Sequence, residues 1–332
     1  MAGALERSWY RRDGAWPLLK PLAWLFGRVV ALRRLAYAQG WLKSRRVPVP
    51  VLVVGNITVG GSGKTPLTLA LVARLVARGR RVGVVSRGYG GKAARYPLQV
   101  APDTPSAQSG DEPLLIACRS AARVVVDPDR PRAAITLVEQ SQVDMVIADD
   151  GLQHYALARD AEIAVTDSRR GLGNGWLLPA GPLREPPERL DGVDLSLIHG
   201  AGEDFWLAPV GAVSLVDDRT RPLADFRDAT VHAVAGIGDP GRFFSMLREH
   251  AIEVIEHAQP DHHVYRAADI VFDDGLPVLM TEKDAVKCRD FADARHWSVP
   301  VELVFSPACE ARVDALLDRL CALPLTKRKH LS

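Results

Sequence analysis

From residue 49 onward, short apolar runs alternate with segments of helical spacing. VLVV (51–54) is followed by a helical pattern over 66–78, RVGVVS (81–86), a helix after Asp111, RVVV (123–126), a helix over about 131–140 and VDMVIADD (143–150). Continuous Val/Ile runs mark strands buried on both faces, and parallel neighbours need helical crossovers. The pattern predicts a doubly wound α/β domain with a mostly parallel sheet over 47–228. A Gly/Pro-rich, loop-like segment spans 171–187, and short strands continue to AVSLV (212–216). A new α/β unit opens at TVHAVAGIG (230–238) and defines a smaller C-terminal α/β domain over 229–325. Ahead of these, Leu22, Leu25, Phe26, Val29 and Leu32 recur at helical spacing among Lys20, Arg28, Arg33 and Arg34, which predicts an N-terminal amphipathic helical segment within 1–46.

Composition changes the picture mainly at the N-terminus. The 332 residues are 47% hydrophobic and 25% charged, ordinary for a globular protein, and a net charge of +2 argues against a general polyanion binder, so no nucleic-acid partner is expected. The first 46 residues, however, hold ten Lys or Arg against Glu6 and Asp13, together with Trp9, Trp16, Trp24 and Trp41. Trp with Lys and Arg on an apolar helix suits a membrane surface, where rings sit at headgroup level and cations reach phosphates. The alternative is a helical extension packed on the main domain with Trp in its core. The longest apolar run, 21–27, lies between Lys20 and Arg28 and is far shorter than the roughly 20 residues a spanning helix needs. Four scattered cysteines without a C-x-x-C pair fit a reducing compartment.

The strongest chemical signal is NITVGGSGKT (56–65), directly after the first strand. A strand, a glycine turn and a helix start converge backbone N–H groups and the positive end of a helix dipole on one point, which suits a polyphosphate. In the P-loop pattern Lys64 reaches the outer phosphates of ATP and the Thr65 hydroxyl binds Mg²⁺, with Thr58, Gly60, Gly61, Ser62 and Gly63 forming the cradle. Thr58 stands where the pattern has its first glycine. The acid that such a loop needs for its metal is offered by Asp149 and Asp150 at the end of a buried strand, and adjacent carboxylates on extended backbone point apart, so the two serve different purposes. Asp111 in QSGDEP (108–113) is either a helix cap or the carboxylate that takes an acceptor hydroxyl's proton. Near Asp261, His262 and His263, with His257 close by, an active-site His oriented by a carboxylate is favoured over a metal site.

Eight ordered motifs, GNITVGGSGKTP, SRGYGGK, GDEPLLIA, DDGLQH, GNGWLLPAGPLREP, AGIGDPGRFF, DHH and TEKDAVK, cover most of the chain and together resemble the tetraacyldisaccharide 4′-kinases, the lipid A 4′-kinases of Gram-negative bacteria. The resemblance implies a P-loop NTPase-like fold and transfer of the γ-phosphoryl group of ATP, with Mg²⁺, to the 4′-hydroxyl of a tetraacylated glucosamine disaccharide 1-phosphate. It implies a peripheral enzyme at the cytoplasmic face of the inner membrane. By motif, it makes Lys64, Asp111, His262 and Asp150 the catalytic set, Thr65 and Asp149 the metal ligands, and Arg87, His154 and Arg184 substrate or phosphate contacts. Two other readings fail on residues. A GTPase reads guanine with N-K-x-D, and neither Asn56 nor Asn174 precedes Lys; a partitioning-type ATP switch carries Lys before the two glycines, where this chain has Val59.

Overall fold

The computed structural model describes residues 8–10 and 17–324; residues 1–7, 11–16 (with Trp16) and 325–332, including the basic tail from Lys327, lie outside the described residues. Contacts divide the chain into two units. The first comprises residues up to 87, 120–206 and from 304 on; the second comprises 88–119 and 207–303. The linear pattern set a boundary after residue 228, whereas the contacts group 88–119 and 207–228 with the later strands and return the last helix to the first unit.

In the first unit Leu195–His199, Ala161–Asp167, Val51–Gly55, Met145–Asp149, Val82–Ser86 and Arg123–Val126 lie side by side in that order, all parallel. Val51–Gly55, Val82–Ser86 and Met145–Asp149 are buried at every position, which is why they read as unbroken apolar runs. Val51–Gly55 sits in the middle, with Val54 in register with Asp149, and the strand order turns back around it, placing a crevice at the carboxyl ends of these strands. The helix Lys64–Ala77 buries Leu67, Thr68, Leu71, Val72 and Leu75 on one face. The closing helix, Pro307–Cys321, is capped by Ser306, whose hydroxyl accepts from the Cys309 amide. It is tied to the phosphate-loop helix by Arg74 with Asp314 (2.9 Å) and Arg78 with Asp314 and Asp318 (both 2.8 Å). These pairs are partly exposed, so each contributes about 0.2–1 kcal/mol.

The N-terminal helix Lys20–Ala38 buries only Ala23. Leu22, Trp24, Leu25, Val29, Leu32 and Leu35 are exposed, while Trp9 is packed, its indole N–H donating to the Pro179 carbonyl at 3.1 Å. The second unit is built on the sheet order Thr220–Arg221, Ala212–Ser214, His296–Val299, Val278–Thr281, Thr230–Ala235, Glu253–Ala258; the last four are parallel and the first two antiparallel. Val231, Ala233, Leu279 and Trp297 pack against Phe243, Phe244 and Leu247 of the helix Pro240–Glu249. Both units are thus α/β with mostly parallel sheets, as the alternation of runs and helices predicts.

Candidate active site

The phosphate loop leaves the central strand at Gly55 and is pinned from outside, where the Val59 amide donates to the Pro182 carbonyl at 2.9 Å and Thr58 bridges Leu183. The helix starts at Lys64 behind Gly63, which sits at φ 87°, a left-handed conformation that L side chains avoid; a Cβ there would lie 2.8 Å from His199 Nδ1. Conformation and space both demand glycine ahead of Lys-Thr. Gly61 has open space where a Cβ would project, so backbone there is open to close approach. The Ser62 hydroxyl is buried with no hydrogen-bond partner among the described residues. An unsatisfied buried hydroxyl costs about 1–3 kcal/mol, and a ligand oxygen at this loop would remove that cost.

Lys64 is held across the loop. Its Nζ donates to Asn56 Oδ1 (3.2 Å) and the Gly60 carbonyl (3.5 Å) and lies 3.7 Å from Asp150 Oδ1. The two acids at the strand end part company as expected. Asp149 is buried, and its Oδ1 accepts from Thr68 Oγ1 at 2.9 Å, which fixes the carboxylate against the phosphate-loop helix beside Thr65. Asp150 leaves the strand in a left-handed turn (φ 48°) and accepts a forked pair from Arg184 at 2.8 and 3.1 Å. Burial acts to push the Asp150 carboxyl up, but Lys64 and Arg184 outweigh it and hold the group well below the usual carboxylate range. Arg184 also donates to the Asn56 side chain and, at 3.0 Å, to its carbonyl.

Beneath this pair lies Arg130, 2% exposed, whose Nη2 donates to the Asp149 carbonyl at 2.8 Å while Nε and Nη1 lack partners among the described residues. Burial lowers its pKa to about 10 despite Asp149 and Asp150. His154 is pushed down to about 3 by burial and by Arg130, with a smaller contribution from the exposed Arg87. It is therefore a neutral imidazole at physiological pH, able to hydrogen-bond an anion but not to pair with it as a cation. Next to Arg184 and Gln153, a groove of about 270 Å³ opens between Phe26, Val29, Val30 and Arg33 of the N-terminal helix and Tyr155, Leu178 and Glu185.

The second unit holds a separate acid–imidazole pair. Asp111 opens the helix Asp111–Arg119. The preceding Gly110 (φ 84°) packs so closely that a Cβ would lie 2.5 Å from the Tyr89 carbonyl, which joins SRGYGG to QSGDEP. Asp111 Oδ2 is 3.2 Å from His262 Nδ1 and 3.3 Å from Lys287 Nζ. His262 sits at φ 61° with its ring edge-on to Tyr89, centroids 5.1 Å apart. Burial raises the Asp111 carboxyl, yet the His262 hydrogen bond and the charges of Lys287 and Lys283 bring it below its ordinary value, so it is a carboxylate at neutral pH. His263 turns instead to Asp269 (3.1 Å), and His257 pairs with His232 (2.8 Å). Among the described residues no group of three His, Cys, Asp or Glu is placed to hold a metal.

The sequence reading passed over Asn56, Thr68, Arg130 and Lys287. Asn56 had a signal, being one of only two asparagines and directly beside the phosphate loop. Arg130 had none, because a buried arginine and a surface arginine read alike.

The chain has counterparts among known proteins. The LpxK family model, Tetraacyldisaccharide-1-P 4′-kinase, matches residues 15–318. A tetraacyldisaccharide 4′-kinase of Pseudomonas paraeruginosa is 52% identical over 325 residues, 96% of this chain and 98% of that protein. Another, from Azotobacter vinelandii, is 50% identical over 329 residues, 97% and 99% of the two chains. A crystal structure of LpxK from Aquifex aeolicus in complex with ATP aligns with a TM-score of 0.77 at 29% identity, covering 91% of this chain and 98% of that one. The phosphate loop with its paired acids, carried in a fold and sequence shared over nearly the whole length, makes this chain a member of the tetraacyldisaccharide-1-phosphate 4′-kinase family.

Proposed function

We propose that this enzyme transfers the γ-phosphoryl group of ATP to the 4′-hydroxyl of tetraacyldisaccharide 1-phosphate, an acylated glucosamine disaccharide, forming lipid IVA in lipid A biosynthesis. The observation that carries the reading is the loop in which Lys64, Asn56, Asp150 and Arg184 interlock behind a glycine-capped helix start. Phosphoryl transfer asks mainly for positioning and for neutralisation of oxygen charge. The loop amides, the Ser62 hydroxyl and Lys64 receive the phosphates of ATP, and Arg184 balances charge at Asp150. Asp111, oriented by His262, takes the proton of the 4′-hydroxyl as the new O–P bond forms and ADP leaves.

Thr65 and Asp149 supply hard oxygen donors, a hydroxyl and a carboxylate, that suit Mg²⁺, an ion that keeps several waters and needs few protein ligands. An ion held by these two residues would supply positive charge to offset that of the transferring phosphates. Asp149 is pre-oriented for this by Thr68.

The acceptor's tails explain the N-terminal helix. Its exposed Leu22, Trp24, Leu25, Val29 and Leu32 flank Arg28, Arg33 and Arg34, and no helix among the described residues is long and apolar enough to cross a membrane. The reading is a helix lying in the cytoplasmic face of the inner membrane, with the apolar groove beside Arg184 admitting an acyl chain of the acceptor. Transfer of ³²P from γ-labelled ATP to the disaccharide 1-phosphate, followed by thin-layer chromatography, tests the activity; label released only as inorganic phosphate would replace kinase with ATPase. For the membrane part, anionic vesicles should sediment the protein, with partial release by salt because charge attraction is screened within about 10 Å at 0.1 M. Leu25→Ser together with Leu32→Ser should lower the bound fraction several-fold. Equal binding by parent and variant would leave the helix as a packing element only.

A further inference from the structure

TEKDAVK (281–287) has no part in the reaction as described so far, yet it delivers a buried ammonium to the acid–imidazole pair. The strand Val278–Thr281 ends in Thr281, whose hydroxyl caps the short helix Glu282–Ala285. Asp284 there is fully buried, its Oδ2 accepting from the Gly236 amide (2.8 Å) and Thr281 Oγ1 (2.6 Å). Lys287 follows with its side chain 7% exposed. Its Nζ is 3.2 Å from Asp284 Oδ1, 3.3 Å from Asp111 Oδ2 and 3.2 Å from the His263 carbonyl, and lies over the Tyr265 ring at 4.9 Å. Asp284, one turn back on the same segment, is already a counter-ion for this ammonium, so the reach to Asp111 is an additional tie across 176 residues. Lys287 and His262 both engage Oδ2; Oδ1 takes neither contact.

We infer that Lys287 is a positioning residue for phosphoryl transfer: with His262 it clamps Asp111 by Oδ2, anchored in turn to Asp284, and leaves Oδ1 to receive the hydroxyl proton. The inference rests on Asp111 being the proton acceptor. A carboxylate clamped through one oxygen loses rotational freedom that it would otherwise have to give up in the transition state, and a cation within about 4–6 Å keeps it ionised. The charged groups acting on Asp111 are His262 from one loop and Lys287 and Lys283 from the 281–287 segment; behind them stand their own partners, Asp261 for His262 and Lys283, Asp284 for Lys287 and Glu112 for Lys283. Lys283 is occupied by Asp261 (2.9 Å) and Glu112 (3.6 Å), so of the two lysines Lys287 is the one in direct contact with the Asp111 carboxylate.

The sign follows. Loss of the Lys287 charge raises the pKa of Asp111, and a base works only above its pKa, so the acid limb of the pH–rate profile moves to higher pH. In the full-length enzyme, Lys287→Met should shift the acid limb of kcat/KM for the acceptor upward by about 1 unit, lower kcat about 10-fold across the neutral range, where Asp111 stays ionised and only its positioning is lost, and leave the KM for ATP unchanged. Lys287→Arg should return the limb toward its original position. If the Met variant does not fold, Lys287→Gln against Lys287→Arg makes the same comparison, with thermal melting as the check on both. An unmoved acid limb, whether activity is retained or lost at every pH, would overturn the positioning role. Asp111→Asn run alongside separates the two ideas: if it keeps both turnover and the limb, the assignment of Asp111 has failed, not the clamp.

Discussion

Lys64→Ala should lower phosphoryl transfer on the order of 10³-fold or more in a protein that still folds. In the proposed role the ammonium is a point charge for the outer phosphates of ATP, and the loop has no other cation to replace it. Its removal should leave the fold intact, because both of its side-chain partners keep another. Asp150 retains the forked pair from Arg184, and Asn56 retains the Arg184 guanidinium. No buried charge is left unpaired, the condition under which such a deletion becomes severely destabilising. Turnover, ATP affinity and thermal melting measured on the same preparation decide it. Near-normal turnover in a folded variant would remove the phosphate-loop assignment.

Substitution of the acid–imidazole pair should affect chemistry and spare ATP binding. Asp111→Ala and His262→Ala are each expected to lower turnover by roughly 10²- to 10⁴-fold. With His262 proposed to act through Asp111, which it contacts at 3.2 Å, the double variant should lose less than the product of the two single losses. Multiplicative losses would mean that the residues act independently. The pH dependence has a defined direction as well. The folded-state pKa of Asp111 lies below its ordinary value, so the carboxylate is ionised through the neutral range and activity falls only as pH drops through that lowered value. The same depression makes Asp111 a source of stability above its unfolded pKa, lost as the pH falls through the folded one.

Much of the first unit is legible along the chain because its signals are local. A strand buried on both faces must be apolar at every position, so Val51–Gly55, Val82–Ser86 and Met145–Asp149 declare themselves. Gly63 and Lys64 are set by the dihedral angle and the first turn of one helix. Asp149 and Asp150 follow directly from the last apolar residue of a strand, and their divergence follows from strand geometry.

Charge partners at long range are not encoded that way. His262 and His263 are adjacent, yet a left-handed residue sends one ring to Asp111, 151 positions away, and leaves the other on Asp269. Arg130 looks like any helix-start arginine until the sheet closes over it and burial takes its pKa to about 10. Arg74 and Arg78 face outward on an amphipathic helix, and only the return of the chain's last helix supplies Asp314 and Asp318 and draws that helix into the first unit. Periodicity along a chain reports which side of an element is removed from water, a property each element has by itself. Which cation meets which carboxylate depends on where distant segments cross, and desolvation makes those encounters consequential only after the fold has formed.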